Sequence, residues 1–336
     1  MMEQLRGAVR IIPFFLLPAP LSAQSVGPLG KYVTIHGTIA LEESDSVLTV
    51  APIVVPDPFG GFLVADAREA QVRLYDERGR VKKLVARPGS GPREVRVPTA
   101  VVRRLADGHI LVADVLAGAI LEFDSAGSNE LRRYPVSFPI SGLLDLGDAL
   151  LTSGVPGTTR GGEPPMLLQF WDGTFDRGGF FPLPAVRVAP AVARTYGYTT
   201  ATVSGDEIFA AYALSDTLYV FSRSGEPVEK IGLNLNYWSL PTTPPVGAPR
   251  SPARRAWEEQ LTRISDVYVV GDRILVQYVG EKDGELVWRL ACITRDGQKL
   301  FDLDDTPRLL TVVGDRLYFV DAGSLTDDRW VVVSLR

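Results

Sequence analysis

Two stretches of this chain repeat the same order of residue types. Gly60-Gly61-Phe62-Leu63-Val64-Ala65-Asp66 leads to Val72-Arg73-Leu74-Tyr75-Asp76-Glu77-Arg78-Gly79. Asp107-Gly108-His109-Ile110-Leu111-Val112-Ala113-Asp114 leads to Ile120-Leu121-Glu122-Phe123-Asp124-Ser125-Ala126-Gly127. Asp66 and Asp114 are 48 residues apart, and so are Gly79 and Gly127. A period of about fifty, with four short apolar runs per unit, is the pattern of a β-propeller. Four further units keep the grammar. Their turns are Gly147-Asp148, Gly205-Asp206, Gly271-Asp272 and Gly314-Asp315, each followed by an apolar run.

The second run of each unit is apolar at nearly every position, as in a strand covered on both faces by stacked neighbours. The sixth unit ends after three strands, because the chain stops at Arg336. Tyr32-Val33-Thr34-Ile35 through Ile39-Ala40-Leu41 is strand-like and precedes the first unit, so it supplies the missing outer strand. The expected fold is therefore all-β: a six-bladed β-propeller over residues 31–336, its last blade completed by an N-terminal strand. The 25 Pro and 32 Gly spread along 336 residues suit many short strands and turns.

Residues 1–23 stand apart. Arg6 and Arg10 precede an apolar stretch at 11–21, and Ser22-Ala23 offers a small-residue cleavage point. This is the pattern of a secretory signal peptide, too short and Pro-broken for a spanning helix. The expected location is periplasmic or secreted, with no stable membrane insertion. Cleavage would remove two positive charges and one negative, moving the net charge from −5 to −6. A mildly acidic protein has no general attraction to nucleic acid. Cys292, the single cysteine, lies in an apolar run and reads as a buried thiol.

Arg87-Pro88-Gly89-Ser90-Gly91-Pro92-Arg93-Glu94, then Val97-Pro98, residues 107–114 and residues 120–124 resemble an NHL repeat of bacterial six-bladed propellers. The likeness spans 58–127. It implies that the Asp closing the second strand holds the following turn, a position filled by Asp66, Asp114 and Asp321 and replaced by Tyr212 and Gln277 in other blades. Where the family follows that Asp with Asn and Arg, this chain has Glu69 with Gln71, and Ala117 with Ala119.

In an antiparallel blade the first-to-second and third-to-fourth turns share one end of the ring. The second-to-third loops and the blade connections share the other. Here the first set is tight throughout, and the long insertions, at 154–165, 180–197 and 232–261, all belong to the second. Loops longer than about 12 residues are uncommon unless functional or disordered, so the loop-rich face over blades three to five is the expected binding surface. Within the longest insertion, residues 251–260 read as a short capped helix with Pro252 in its first turn.

Candidate ligand-binding residues on these insertions are Arg194, Tyr196, Tyr198, Asn236, Tyr237, Trp238 and Trp257. Aromatic and Arg side chains of this kind suit a protein, peptide or carbohydrate ligand. The alternative for Trp238 and Trp257 is to pin the insertion to the rim. Arg87 and Arg93, in the basic stretch of blades one and two, are a separate candidate anion site. His36 and His109 fall in different parts of the ring, which argues against His-ligated zinc, His-based nucleophilic catalysis and the amidating-lyase activity of some NHL-like propellers. The sequence thus points to a binding module with no covalent chemistry, no catalytic residue and no cofactor. The competing reading is a calcium-dependent lactonase or esterase, with Asp57, Asp145, Asp266 and Asn236 near the channel as candidate ligands.

Overall fold

The computed structural model describes residues 23–43, 49, 52–154, 165–186, 192–193, 196–240, 251–322 and 327–336. Most of the signal-like segment, residues 155–164, Arg194 and residues 241–250 lie outside these. Six separate sheets form a ring, the six-bladed propeller expected from the repeat. The innermost strands of blades one to six are Pro52–Pro56, Pro98–Arg103, Ile140–Asp145, Thr199–Ser204, Arg263–Val270 and Leu309–Val313. The outer strand of blade six is Val33–Ala40, which pairs antiparallel with Arg329–Leu335 near the C-terminus. Strands near the two ends of the described chain are thereby held in one sheet.

The turn residues that mark the repeat have clear work. Asp66 Oδ1 accepts from the amides of Arg68 and Glu69 at 2.9 and 3.0 Å, and Asp114 Oδ1 accepts from Leu116 and Ala117 at 3.1 and 3.0 Å. Each carboxylate satisfies amides of a tight turn that no strand can pair. Gly79 and Gly127 both adopt positive φ, 82° and 63°, and close the third-to-fourth turn onto the carbonyls of Asp76 and Asp124. At Gly79 a β-carbon would also collide with the carbonyl of Ala40, next to where Glu42 N donates to Gly79 O at 2.7 Å.

The uniformly apolar second strands are covered from both sides. Phe62–Asp66, Ile110–Asp114 and Leu150–Gly154 are buried at every position. Six apolar clusters result, one at each blade interface. Where the ring closes, Phe62 and Tyr75 of blade one meet Leu310 and Trp330 of blade six, with the Phe62 and Trp330 rings edge-to-face at 5.1 Å.

A polar contact accompanies every step around the inner ring. Arg103 pairs with Asp57 at 2.7 Å between blades two and one. Thr99 Oγ1 donates to Ile140 O at 2.6 Å, and Ser141 Oγ to Thr199 O at 3.4 Å, joining blades two to three and three to four. Ile264 N donates to Ala213 O at 2.9 Å, joining five to four. Tyr268 Oη donates to Leu310 O at 3.2 Å, and Arg308 Nη2 to Pro52 O at 3.0 Å, completing five to six and six to one.

Three details go beyond the repeat pattern. Blade one gains a short fifth strand, Glu94–Val95, parallel to Val81–Pro88. The intervening glycine-rich loop closes on the chain's own Glu94, whose carboxylate accepts from Gly91 N at 2.7 Å. In blade five, Arg273–Lys282 and Glu285–Thr294 form a hairpin of two ten-residue strands reaching past the loop-rich face; its tip is polar, so the apolar run alone stops short of it. The packed structure also starts before the first strand, since Val26 and Leu29 of the 3-10 segment Ala23–Lys31 are fully buried between blades five and six.

Asp57 is fully enclosed and Arg103 nearly so, and removing one partner of such a pair strands the other charge. Asp57→Ala is expected to lower unfolding stability by about 3 kcal/mol in urea titration, with the circular dichroism of the remaining native state unchanged.

Candidate functional site

The six innermost strands enclose a cavity of about 430 Å³ along the ring axis, within the size range of small-molecule sites. Its walls differ. Blades one to three contribute side chains such as Ile53, Val55, Thr99 and Ser141, apolar or carrying a hydroxyl already used in the inner-ring contacts. Blades four to six contribute Tyr198, Asp266, Tyr268 and Arg308. Tyr198 and Arg308 stand immediately before their inner strands, hence at the loop-rich mouth. Asp266 and Tyr268 lie further along Arg263–Val270.

Among the described residues lining this cavity, Asp266 is the only acid and Arg308 the only base. Burial pushes the Asp266 carboxyl above the usual aspartate range, against the opposing effects of the Arg308 charge and a hydrogen bond from Ser265. Burial and the nearby Asp266 charge both push the Tyr198 and Tyr268 phenols up, so both stay protonated at neutral pH. Arg308 is already engaged: besides Pro52 O, it faces Asp327 at 3.5 Å and stacks over the Trp288 ring at 5.4 Å. Burial likewise raises the Asp327 carboxyl, with Asp66 and Asp328 adding to the effect and Arg308 opposing it.

The residues expected from sequence separate into distinct places. Tyr198 lines the channel. Tyr196 packs at the interface of blades three and four, with the Arg263 guanidinium over its ring at 5.1 Å. Trp257, on helix α1 (Pro252–Glu259), is 7 % exposed and buried in the same cluster, so it anchors the helix. Trp238 packs, partly covered, on the cluster of blades four and five. Asn236 is a clamp: its amide donates to Asp302 Oδ2 at 2.6 Å and its side-chain carbonyl accepts from Lys299 Nζ at 2.7 Å. Tyr237 is 42 % exposed, with the buried Arg289 guanidinium 5.0 Å from its ring. Arg194 lies outside the described residues.

Arg87 and Arg93 sit on the outer edge of blade one, away from the channel. Arg87 pairs with Glu94 at 3.1 Å, and Arg93 Nη2 donates to Leu84 O at 3.0 Å. The four candidate calcium ligands do not converge. Asp57 pairs with Arg103, and Asp145 caps the amides of Leu105 and Gly147; both stand at the tight-turn end of their strands. Asn236 belongs to the opposite face, where Lys299 holds it.

Asp107, His109 and Glu122 do form a compact cluster at the tight-turn face of blade two. The Arg104 guanidinium fills it, bonding both carboxylates, with Glu122 Oε1 at 2.8 Å. Burial alone would raise the Glu122 carboxyl, but hydrogen bonds from His109 and Tyr134 and the Arg104 charge hold it below the usual range. Here a protein cation already supplies the compensating charge. His36 lies in blade six, hydrogen-bonded to Ser334 at 2.8 Å.

Arg308 and Tyr268 escaped the sequence reading. Both are set by blade register: Arg308 follows Pro307 just ahead of an inner strand, the one local signal that places it at the channel mouth.

The sequence matches no protein-family model and no curated protein. Among solved structures, a "putative exported protein" from Bacteroides fragilis superposes with a TM-score of 0.66 at 14% identity, over 91% of this chain and 95% of that one. A member of the DUF4221 family from Bacteroides vulgatus gives 0.60 at 10% identity, over 90% and 97% of the two chains. At such identities the likeness is one of fold.

Two measurements follow from this geometry. Trp257→Ala removes a buried indole and is expected to cost about 3–5 kcal/mol in denaturant titration, whereas Tyr237→Ala changes stability by less than about 1 kcal/mol. Asp266 carries a sign of its own. Between the unfolded aspartate value of about 3.9 and its raised native value, the native state holds a proton that the unfolded chain has released. Its contribution therefore falls as pH rises through that window. Asp266→Asn removes this penalty: its melting temperature should exceed that of the wild type at pH 7, with the difference shrinking toward pH 3.5.

Proposed function

We propose that this chain is an exported propeller that binds a ligand at the loop-rich mouth of its channel, over blades three to five and reaching blade six, and performs no covalent chemistry on it. The observation that carries this reading is the convergence of Tyr198, Asp266, Tyr268 and Arg308 on one side of a cavity whose other wall is largely apolar. A few polar groups set in an apolar concavity are the usual composition of a binding site. Tyr196, Tyr237 and Trp238 belong to the surrounding rim and suit contact with a protein, peptide or carbohydrate ligand.

The potential nucleophile and metal cluster support binding over catalysis. Cys292 is buried, and burial pushes its thiol up to about 11, which disfavours the reactive thiolate. The one compact His-and-carboxylate cluster among the described residues holds Arg104. Export to the periplasm or beyond rests on the basic, apolar and small-residue order of residues 1–23, together with the likeness to a protein named as exported. Kinship with NHL repeats rests on blades one and two, where Asp66 and Asp114 hold equivalent turns.

The test uses full-length protein purified from its native compartment. Metal content, the effect of a chelator on melting temperature, and turnover of a panel of lactones and esters are measured together. The binding reading expects no chelator shift and no turnover, with a co-purifying molecule or protein lost in Tyr198→Ala. A chelator-sensitive transition with lactone hydrolysis would overturn it in favour of the calcium-dependent hydrolase.

A further inference from the structure

Asp266 differs in its partners from three other acids of the ring. Asp57 has Arg103 at 2.7 Å, Asp302 has Lys299 at 3.5 Å, and Asp304 has both Arg289 and Lys282 at 2.7 and 2.8 Å. Asp266 is half-buried, facing the channel, and makes no ion pair among the described residues; its hydrogen-bonding neighbour is Ser265. Arg308, the sole base among the described residues lining the cavity, is shared between the Pro52 carbonyl, Asp327 and the Trp288 ring. A carboxylate partly withdrawn from water without a full partner carries a desolvation cost. A ligand that brings the missing positive charge recovers part of that cost on binding.

The surroundings select the kind of cation. Among the described residues lining the cavity, Asp266 is the only carboxylate, whereas calcium takes about six to eight oxygen ligands, usually several of them carboxylates. Near it stand the Tyr198 and Tyr268 side chains, and aromatic faces attract organic cations. The Tyr198 hydroxyl makes no hydrogen bond among the described residues, and so remains able to serve a ligand. The wall formed by blades one to three brings Ile53 and Val55 to the same cavity. A negative, aromatic-flanked end and an apolar wall match a molecule with a cationic head on an apolar body.

We infer that the channel is a binding site for an organic ammonium ion, with Asp266 as counter-charge, Tyr198 and Tyr268 as aromatic flanks, and Ile53 and Val55 against the ligand's apolar part. This rests on the channel-mouth reading above and assigns its ligand class.

The experiment is calorimetric titration, with parallel melting curves, of the full chain at pH 7.5 against three probes of matched length: hexylammonium, 1-hexanol and hexanoate. Calcium chloride alone is the fourth arm. Hexylammonium should bind one per chain and raise the melting temperature, as any ligand of the native state does. The alcohol, the carboxylate and calcium should not. Asp266→Asn, which keeps the shape and removes the charge, should weaken hexylammonium binding about tenfold or more while its own melting temperature stays at or above that of the wild type. Tyr198→Ala should weaken it several-fold.

Equal binding of hexanol, unchanged affinity in Asp266→Asn, a calcium shift abolished by Asp266→Asn, or no saturation by hexylammonium up to about 10 mM would each overturn the inference. A co-purifying ligand lost in Tyr198→Ala, alongside failure of the ammonium probe, would remove the ligand class and leave the channel-mouth reading standing.

Discussion

Every blade of this protein depends on two others. A sheet whose faces are both apolar is stable only while covered on both sides, and a ring meets that demand only if its last member returns to its first. The return is made by Val33–Ala40 on Arg329–Leu335, and it is filled by Phe62, Tyr75, Tyr318 and Trp330. Apolar contact supplies the bulk of the attraction, roughly 25 cal/mol for each Å² removed from water, but it is not directional. The hydrogen bonds and the Asp57–Arg103 pair along the inner ring add register: they fix how far each blade is rotated against the next. What the cavity contains follows from that register.

The inner ring also explains why the cavity is two-sided. Around blades one to three, the inner-ring contacts use short side chains, Thr99 and Ser141, or the enclosed pair of Asp57 and Arg103, and leave little polar capacity facing the axis. Around blades four to six the contacts are made by backbone, by Tyr268 and by Arg308, long side chains that reach across the interface from the axis itself. Asp266 stands among them without taking part. The groups that hold the ring together and Asp266 are thus neighbours in the channel wall.

Much of the fold was legible because its signals are local. Asp66, Asp114, Gly79 and Gly127 recur at a fixed spacing because each closes a turn with its own near neighbours, and such requirements are written within four residues of sequence. The closing strand was legible for a different reason: a three-strand remainder at one terminus and an unassigned strand at the other have one economical solution.

The site was less legible because it is assembled from positions far apart in sequence. Tyr198, Asp266, Tyr268 and Arg308 come from three blades, and only the register brings them to one wall. Sequence pointed to Tyr198 through its loop and to Asp266 through its position near an inner strand, but gave no sign of Arg308 or Tyr268. Trp257 and Asn236 looked like ligand contacts because aromatic and amide side chains in a long insertion serve either role. Burial in the blade interface and the Asp302–Lys299 clamp give both residues anchoring contacts, and burial is a tertiary property. Arg87 and Arg93 stood out by charge crowding, yet Arg87 is paired with Glu94 of the short strand folded back on blade one, and Arg93 with the Leu84 carbonyl of that blade's outer strand.

The most direct measurement is a crystal structure of the full chain isolated from its native compartment without refolding or extensive dialysis. The account predicts continuous density for a bound molecule at the loop-rich mouth of the channel, with an atom of it within hydrogen-bonding distance of an Asp266 carboxylate oxygen. A bound molecule seated instead on the outer edge of blade one or on the tight-turn face, with Asp266 surrounded by water, would contradict it.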